Sequence, residues 1–225
     1  MAAMTVAVST AVLKNVPLLA SFPDEQLRVL TAVVSRRSVP RGTVVMAAGD
    51  PTDSLYLVIS GRLKVMMSDA EGKEVILSFL GAGEYFGEMG LIDDSPRSAS
   101  VVSSEPCELL AIAKRDFKRC LADNFEMATA VMRGLVRRLR EADRKIGSLA
   151  LLDVYGRVAR LLIDMSENVD GQTIVTRKIA KQDIAKMIGA SREMVSRVMK
   201  DLQSGGYIEM RGSSIVLHNS ITLPE

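Results

Sequence analysis

The sequence is poor in the residues on which most enzyme and metal sites depend. Among its 225 residues it has one histidine, His218, two cysteines, Cys107 and Cys120, and no tryptophan. The cysteines lack metal-ligand spacing, so we expect no metal or haem site and no disulfide scaffold, and a reducing, cytoplasmic setting fits better. Because there is no Ser/His/Asp set either, an enzyme is the least supported class of function.

A long apolar run is also missing. No stretch approaches the ~20 residues that span a bilayer, so we expect no membrane partner. The N-terminus has no basic start and makes a poor signal peptide, and the simpler interpretation is a frayed tail before a first helix. Lys and Arg outnumber Asp and Glu by 29 to 27, and a net charge of +2 indicates no particular partner.

What is present divides the chain into regions of different pattern. Short helices, separated by Pro17 and Pro23, are predicted from about Ala11 to Ser35. From Val39 to Ile112, short apolar runs alternate with Gly, Asp, Pro and Ser, which is typical of an all-β sandwich, barrel or roll. After Arg115 the chain becomes helical. The length fits one large domain and one small one.

One β segment breaks into closely spaced glycines, in the sequence VILSFLGAGEYFGEMGLIDDSPRSASV. A strand followed by such glycines suggests a dinucleotide site at first sight. The spacing is GxGxxxG rather than GxGxxG, however, and strands are predicted on both sides of it instead of a strand, a helix and a strand. The pattern therefore disfavours a dinucleotide fold and leaves another kind of phosphate site open.

A heptad seam follows, in which apolar residues alternate in steps of four and three. Its members are Ala128, Met132, Leu135, Leu139, Ala142, Ile146 and Leu149. Charged residues flank this narrow stripe, which favours a helix that pairs with a copy of itself over a helix packed only on its own domain. Asp153 is a candidate cap for a new helix at Val154, which places a bend and a domain boundary between Leu149 and Asp153.

The segment KQDIAKMIGASREMVSRVMKDLQSGGYIEMRGSSIVLH has the spacing of a helix-turn-helix. Ala185 allows the helices to cross closely, Gly189 permits the positive φ of the turn, and Val195 and Val198 hold the second helix in place. Ser191 is a candidate N-cap of that helix. Two glycines then stop it, and YIEM and SIVLH, joined across RGS, predict a β-hairpin wing.

The second helix carries groups that suit the edges of bases. An arginine can bind both major-groove acceptors of guanine, and Glu193 can accept from the amine of cytosine. Between residues 177 and 211 there are eight basic and four acidic residues, so the weak overall charge hides a locally basic face. The expected DNA-binding residues are Lys181, Gln182, Ser191, Arg192, Glu193, Ser196, Arg197 and Lys200. The alternative is a helix-turn-helix that binds another protein.

A β-roll, a long dimer helix and a winged helix-turn-helix resemble, in this order, the bacterial CRP/FNR family. The likeness covers roughly residues 13–218. GEMGLIDDSPRSASV is similar to the family's phosphate-binding cassette, GSLALLDVYGRVARLL to its hinge and IGASREMVSRVMKDL to its recognition helix. The resemblance implies an α+β fold with a jelly-roll-like cyclic-nucleotide-binding β-roll at 1–122, a dimerisation helix and hinge at 123–152, and a winged helix-turn-helix domain at 153–225.

The resemblance also implies an effector, cyclic AMP or cyclic di-GMP, bound in the roll. Backbone amides after Gly87 would line a short helix start, and Glu88 would accept from a ribose hydroxyl. Arg97 would pair with the cyclic phosphate, with Ser98 adding a hydroxyl. The remaining expected ligand residues are Ala99, Arg138, Ala142 and Asp143. The alternative for Arg97 is a surface salt bridge with Asp93 or Asp94.

The sequence departs from the family at the position of the base. In cyclic-AMP-responsive members a Thr-Ser pair on the dimer helix contacts adenine, whereas Ala142 and Asp143 occupy those positions here. A carboxylate suits the ring NH and amine of a guanine edge, but Asp143 is equally well explained as an intrahelical partner of nearby arginines.

At the DNA end both family patterns are present. Arg192 and Glu193 with Arg197 resemble the set that reads TGTGA-like half-sites, and Glu193-x-x-Ser196-Arg197 resembles the one that reads TTGAT-like half-sites. The leading hypothesis is a homodimeric transcription regulator that is controlled by a cyclic nucleotide, reads a palindromic TGTGA-like DNA operator and contacts RNA polymerase. A ligand-independent regulator and a redox or gas sensor of the same fold are the alternatives.

Overall fold

The structure is a computed structural model that describes residues 8–20 and 22–218, so most of the expected frayed tail lies outside the described residues. The chain forms two compact units, residues 1–137 and 138–225, and the boundary falls within a long helix. Within the described range, the first unit contains two four-stranded sheets and the second contains one. The predicted α+β class is confirmed. None of the helices described is both long and apolar enough to cross a bilayer.

Short helices open the first unit, as predicted. Helix α1 spans Thr10–Lys14, a 3-10 turn spans Pro17–Leu19 and α2 spans Asp24–Val33. Strand β1, Val34–Val39, follows directly, so the helical prediction to Ser35 is wrong for its last two residues. Val34 and Ser35 pair with Ile112 and Ala111 of a distant strand, and local pattern carries no trace of that pairing.

Eight strands of the first unit form a roll of two antiparallel sheets, with orders β1-β8-β3-β6 and β2-β7-β4-β5. The further strands are β2 Val44–Met46, β3 Ser54–Ser60, β4 Leu63–Ser68, β5 Glu74–Leu80, β6 Tyr85–Phe86, β7 Ser100–Ser103 and β8 Cys107–Ala113. Apart from β4 and β5, which form a hairpin, neighbouring strands in these sheets are not consecutive in the chain, which is typical of jelly-roll topology. The apolar runs predicted between Val39 and Ile112 include TVVMAAG, LYLVISG, RLKVMMS, EVILSFLG, ASVVSS and CELLAIA, and these correspond in order to β2, β3, β4, β5, β7 and β8.

The short strand β6 contacts two different cores. The side chain of Phe86 belongs to the interior of the roll, whereas Tyr85 belongs to the core between the roll and the helices. The Tyr85 hydroxyl donates to the carbonyl of Val131 at 3.4 Å. A Cβ added to Gly134 would lie 2.0 Å from the same hydroxyl oxygen, so helix and strand are in close contact there. The strand that leads into the glycine-rich segment therefore packs against the neighbouring helix.

The remaining elements follow in chain order. The first unit also contains α3 Met89–Ile92 and α4 Lys114–Asp123, and α5 Phe125–Leu151 crosses the boundary between the units. The elements of the second unit are α6 Val154–Met165, β9 Glu167–Val169, β10 Gln172–Val175, α7 Lys181–Ile188, α8 Arg192–Ser204, β11 Ile208–Arg211 and β12 Ser214–Leu217. The Asp153 carboxylate accepts from the backbone of Gly156 at 2.8 Å, which confirms the predicted cap of α6. The predicted wing is β11 and β12, and it belongs to a sheet of order β11-β12-β10-β9.

Candidate functional site

Arg97 is buried within the roll, with 5% of its surface exposed. Its Nη1 donates to the carbonyl of Gly87 at 2.9 Å, and its Nη2 donates to the carbonyl of Ser54 at 2.8 Å and to the carboxylate of Asp53 at 3.1 Å. No hydrogen bond from Nε is found among the described residues. A guanidinium has five N–H donors, so this fixed cation retains donors for an anionic ligand.

An aromatic wall borders this guanidinium. The rings of Tyr56 and Phe86 stack with their centres 5.1 Å apart. The guanidinium carbon of Arg97 lies 5.9 Å from the centre of the Tyr56 ring, and that of Arg37 lies 5.6 Å from it. The ring faces attract the two cations electrostatically, so Tyr56 helps to stabilise the buried guanidinium of Arg97 inside the roll. The sequence reasoning did not identify Tyr56, and its pattern shows only that it belongs to an apolar strand.

Gly87 lies directly against the same guanidinium. It has a φ of +86°, and a Cβ added to it would lie 2.5 Å from Nη1 of Arg97. A residue with a side chain therefore meets both an unfavourable backbone conformation and a clash. Glu88 follows at the N-cap of α3 and is 1% exposed, Ala99 is buried, and Ser98 is exposed with its Oγ 3.7 Å from the sulfur of Met89.

We expect Gly87→Ala to destabilise the first unit more than Gly72→Ala does. Gly72 has a similar φ of +80° but open space where a Cβ would be, so the two variants share the backbone cost and differ in the clash with Arg97. Chemical denaturation of both variants measures the difference in the free energy of unfolding. Equal losses of stability would mean that Arg97 moves aside without cost.

Asp94 does not pair with Arg97 but anchors its loop to α4. Its carboxylate lies 2.6 Å from Nζ of Lys114 and 2.8 Å from Nζ of Lys118. The hydrogen bond from Lys114 and the weaker one from Lys118 lower the pKa of Asp94 to about 2, and the positive charges of both lysines add to this effect. Since Arg97 is buried against Asp53, the proposed surface salt bridge of Arg97 with Asp93 or Asp94 does not form.

The anchor predicts a pH dependence of stability. The pKa of Asp94 is about 2 in the folded protein, below its ordinary 3.8, so its contribution is fully present above pH 3.8 and is lost as the pH falls through about 2. We expect the difference in the free energy of unfolding between wild type and Asp94→Asn to be constant above pH 4 and to shrink below it. Glu71→Gln removes an exposed carboxylate that makes no side-chain ion pair within the described residues, and it is the control for the loss of a surface charge.

An apolar stripe remains exposed along α5. Met132 is 52% exposed, Leu139 63%, Ile146 63% and Leu149 50%, and Ala142 and Asp143 are exposed between them. The seam residues Ala128 and Leu135 are half-buried, and Leu135 packs against the core of the first unit. Val136, 49% exposed, joins the stripe, and its position four residues after Met132 and three before Leu139 is the signal that the sequence reasoning overlooked.

Helix α8 has the local structure that the sequence predicts for a recognition helix. The turn before it places Gly189 at a φ of +66°, and the Ser191 hydroxyl accepts from the backbone of Met194 at 3.1 Å as an N-cap. Val195, Val198, Met199 and Leu202 form its buried face.

The opposite face of α8 carries the polar residues. Arg192, Glu193, Arg197 and Lys200 are exposed, Ser196 is half-buried, and Lys181 and Gln182 are exposed at the start of α7. The carboxylate of Glu193 accepts from its own backbone N–H and from Ser191, and these bonds lower its pKa. Glu193 is therefore an acceptor at neutral pH, next to basic donors, and this combination can contact base edges and phosphates.

Both parts of the chain match known family models. The description "Cyclic nucleotide-binding domain" fits residues 36–124, and "Crp-like helix-turn-helix domain" fits residues 156–223. These ranges contain the buried arginine of the roll and the helix-turn-helix respectively.

Curated relatives and solved structures agree with these matches. The cAMP-activated global transcriptional regulator Vfr of Pseudomonas aeruginosa is 34% identical over 86% of this chain and 94% of its own length. The cAMP-activated global transcriptional regulator CRP of Haemophilus influenzae is 37% identical over 80% of this chain and 83% of its own. A structure of the c-di-GMP-responsive global regulator CLP of Xanthomonas campestris shares 32% identity, covers 88% of this chain and 100% of its own, and has a TM-score of 0.74.

Proposed function

Because this chain belongs to the CRP/FNR family of cyclic-nucleotide-responsive, DNA-binding transcription regulators and is not an enzyme, we propose that it is a homodimer that binds cyclic AMP or cyclic di-GMP in the roll and a palindromic, TGTGA-like operator through α8. Two recognition helices on a common dimer seam reach successive major grooves of one duplex. RNA polymerase is the further partner that we propose for the DNA-bound dimer.

The buried guanidinium of Arg97 carries the ligand half of this proposal. It is held by Asp53 and by the carbonyls of Gly87 and Ser54, and it lies so close to Gly87 that no side chain fits at that position. A positive charge held in a fixed position suits a cyclic phosphate, since a charge-assisted hydrogen bond is about twice as strong as a neutral one. The proposed ligand set is Gly87, Glu88, Arg97, Ser98, Ala99, Arg138, Ala142 and Asp143.

Calorimetry with a panel of cyclic AMP, cyclic GMP and cyclic di-GMP tests the ligand half. We expect one of them to bind the wild-type protein and to strengthen its binding to operator DNA. Binding of none of the three would refute the proposal for the sensor and leave the DNA half intact.

A ligand-independent regulator is the second candidate, and one observation favours it. Ala142 and Asp143 stand where the cyclic-AMP-responsive relatives are expected to have hydroxyls, and neither offers a hydroxyl to a base. Footprints of equal strength with and without nucleotide would support this candidate, because a sensor needs a differential affinity between its two states. A large gain on adding nucleotide would exclude it.

A further inference from the structure

We propose that Arg138 of each copy binds Asp143 of the other, so that two salt bridges flank the seam of the dimer. The inference rests on the proposed homodimer and adds to it the charged contacts that hold the two helices in register. In this proposal a second copy of this chain packs against the exposed apolar stripe of α5.

The heptad pattern places these two residues at the positions that interact across a coiled coil. Met132, Leu139 and Ile146 occupy the first apolar position of each heptad, conventionally called a, and Ala142 occupies the second, called d. Arg138 immediately precedes an a residue and is therefore at g, and Asp143 immediately follows a d residue and is therefore at e. Charged residues at e and g form interhelical salt bridges that set partner choice and orientation.

In parallel helices a g residue faces the e residue that comes five positions later in the partner. Residues 138 and 143 are separated by this interval. The preceding combination, Val131 with Val136, is apolar, and the following one, Lys145 with Ala150, holds a single charge. The seam from 132 to 149 thus contains one oppositely charged combination, which the two-fold axis repeats.

The helix-turn-helix explains why the pairing is parallel. Each α5 leads through α6 into a recognition helix, and both recognition helices contact the same duplex in the proposed dimer. A two-fold axis that brings both C-terminal units to one DNA runs along the helix pair and keeps the two α5 helices parallel.

Asp143 lacks a partner within its own chain among the described residues. It is exposed and makes no hydrogen bond or ion pair there. The neighbours three and four residues away on its helix are Leu139, Arg140, Ile146 and Gly147, so Arg140 is the one cation within helical reach, and it does not engage the carboxylate. The intrahelical role considered for Asp143 is therefore not seen.

Arg138 can serve a second carboxylate. It is half-buried and already interacts within its own chain. The five donors of a guanidinium allow it to keep that contact and to bind Asp143 of the partner subunit as well. A nucleotide that reaches this part of the seam then meets a neutralised pair and not a bare carboxylate, which weakens the argument for a guanine edge at Asp143.

Charge reversal in full-length protein tests the pair. R138D and D143R subunits carry different tags and are co-expressed, and the dimers are counted by native mass spectrometry. Each variant alone faces like charges across the seam, whereas the mixed dimer restores two attractive contacts, so we expect heterodimers to exceed about 90% of the population. Without the pair, random association gives about half.

The control places the same charges on the outer face of the helix. R137D and E141R subunits, whose positions lie away from the seam, should mix at random, and the enrichment of the test pair should fall at about 1 M salt because screening weakens exposed charges. The double variant R138D/D143R should dimerise like wild type. Random mixing of R138D with D143R would overturn the pair while leaving the dimer standing, and a monomeric wild type would overturn both.

One further outcome would reassign Asp143. If D143N loses nucleotide affinity while R138D and D143R mix at random, the carboxylate serves the ligand and the pair is wrong. If the charge-reversed subunits select each other, the pair stands, and a loss of nucleotide affinity in D143N then shows that the same carboxylate also contacts the ligand.

Discussion

Replacing Arg197 with alanine is expected to abolish specific operator binding while leaving the dimer and both folds intact. Arg197 is exposed on α8, on the face opposite the buried residues, so its removal creates no cavity. A bidentate contact with guanine contributes about 1–3 kcal/mol of discrimination, and a palindrome contains it twice. Affinity for the operator should therefore fall by about 10²–10⁴-fold, whereas affinity for unrelated DNA should fall far less.

Gel-shift titrations on operator and on scrambled DNA measure this difference. Arg160→Ala is the matched control, since Arg160 lies on α6, pairs with Asp164 at 3.1 Å and is not in the expected contact set. Lys200→Ala should instead weaken binding to both DNAs and reduce the salt dependence, as expected for a phosphate contact. Unchanged operator affinity of the Arg197 variant would refute its role in reading bases.

The parts of the structure that periodicity and local chemistry govern are those that the sequence predicts well. The helix α5, the Asp153 cap, the Gly189 turn and the Ser191 cap all depend on residues within a few positions of one another. In such elements the residue type at one position supplies the hydrogen bond or the φ angle that the backbone needs there. The local sequence pattern is therefore sufficient to predict the structure.

Three strand regions were not predicted, and two of them, β1 and β6, could not be for physical reasons. Strand β1 has the mostly polar sequence VSRRSV and exists because it pairs with β8, and β6 has only two residues. The β9–β10 hairpin carried a usable signal that was overlooked, because Asp170 and Gly171 have positive φ values of 51° and 78° in its turn. An Asp-Gly pair between strands is a strong hairpin signal.

The surroundings of Arg97 could not be predicted at all. Its partners Asp53 and Ser54 lie more than forty residues earlier in the chain, and only the closure of the roll brings them together. Sequence and resemblance predict that the guanidinium is a phosphate ligand, but its burial, its orientation and its contact with the Tyr56 ring come from tertiary contacts. The role is a local inference, and its geometry depends on the whole fold.

Arg97→Lys is expected to abolish nucleotide binding and to destabilise the roll, because lysine cannot replace a planar fork. The lysine ammonium is a single point on a flexible stem, whereas Arg97 bonds to two carbonyls and one carboxylate at once. A buried carbonyl left without its donor costs about 1–3 kcal/mol, so the free energy of unfolding should fall by about 2–6 kcal/mol if both carbonyls lose their bonds.

The variant Asp53→Asn shows how much the ion pair with Arg97 contributes to stability and how much it matters for nucleotide binding. The Asp53 side chain is 74% exposed, so the ion pair with Arg97 is screened by water, and its loss should cost less than about 1 kcal/mol. The two carbonyl bonds remain and keep the guanidinium in place. We therefore expect Asp53→Asn to bind nucleotide at least as tightly as wild type, since it removes a negative charge from beside the phosphate site.

Comparing Arg97→Lys with Asp53→Asn distinguishes a role of Arg97 in phosphate binding from a purely structural role. Nucleotide binding is measured below the unfolding transition, where both variants are folded. If Arg97 holds the phosphate, the lysine variant has at least about 10²-fold weaker binding than the asparagine variant, since a charged hydrogen bond to a buried partner is worth about 1.5–3 kcal/mol and more than one is lost. If Arg97 only stabilises the loop around Gly87 and Ser54, the folded lysine variant binds nucleotide as tightly as wild type. The phosphate is then bound elsewhere in the roll.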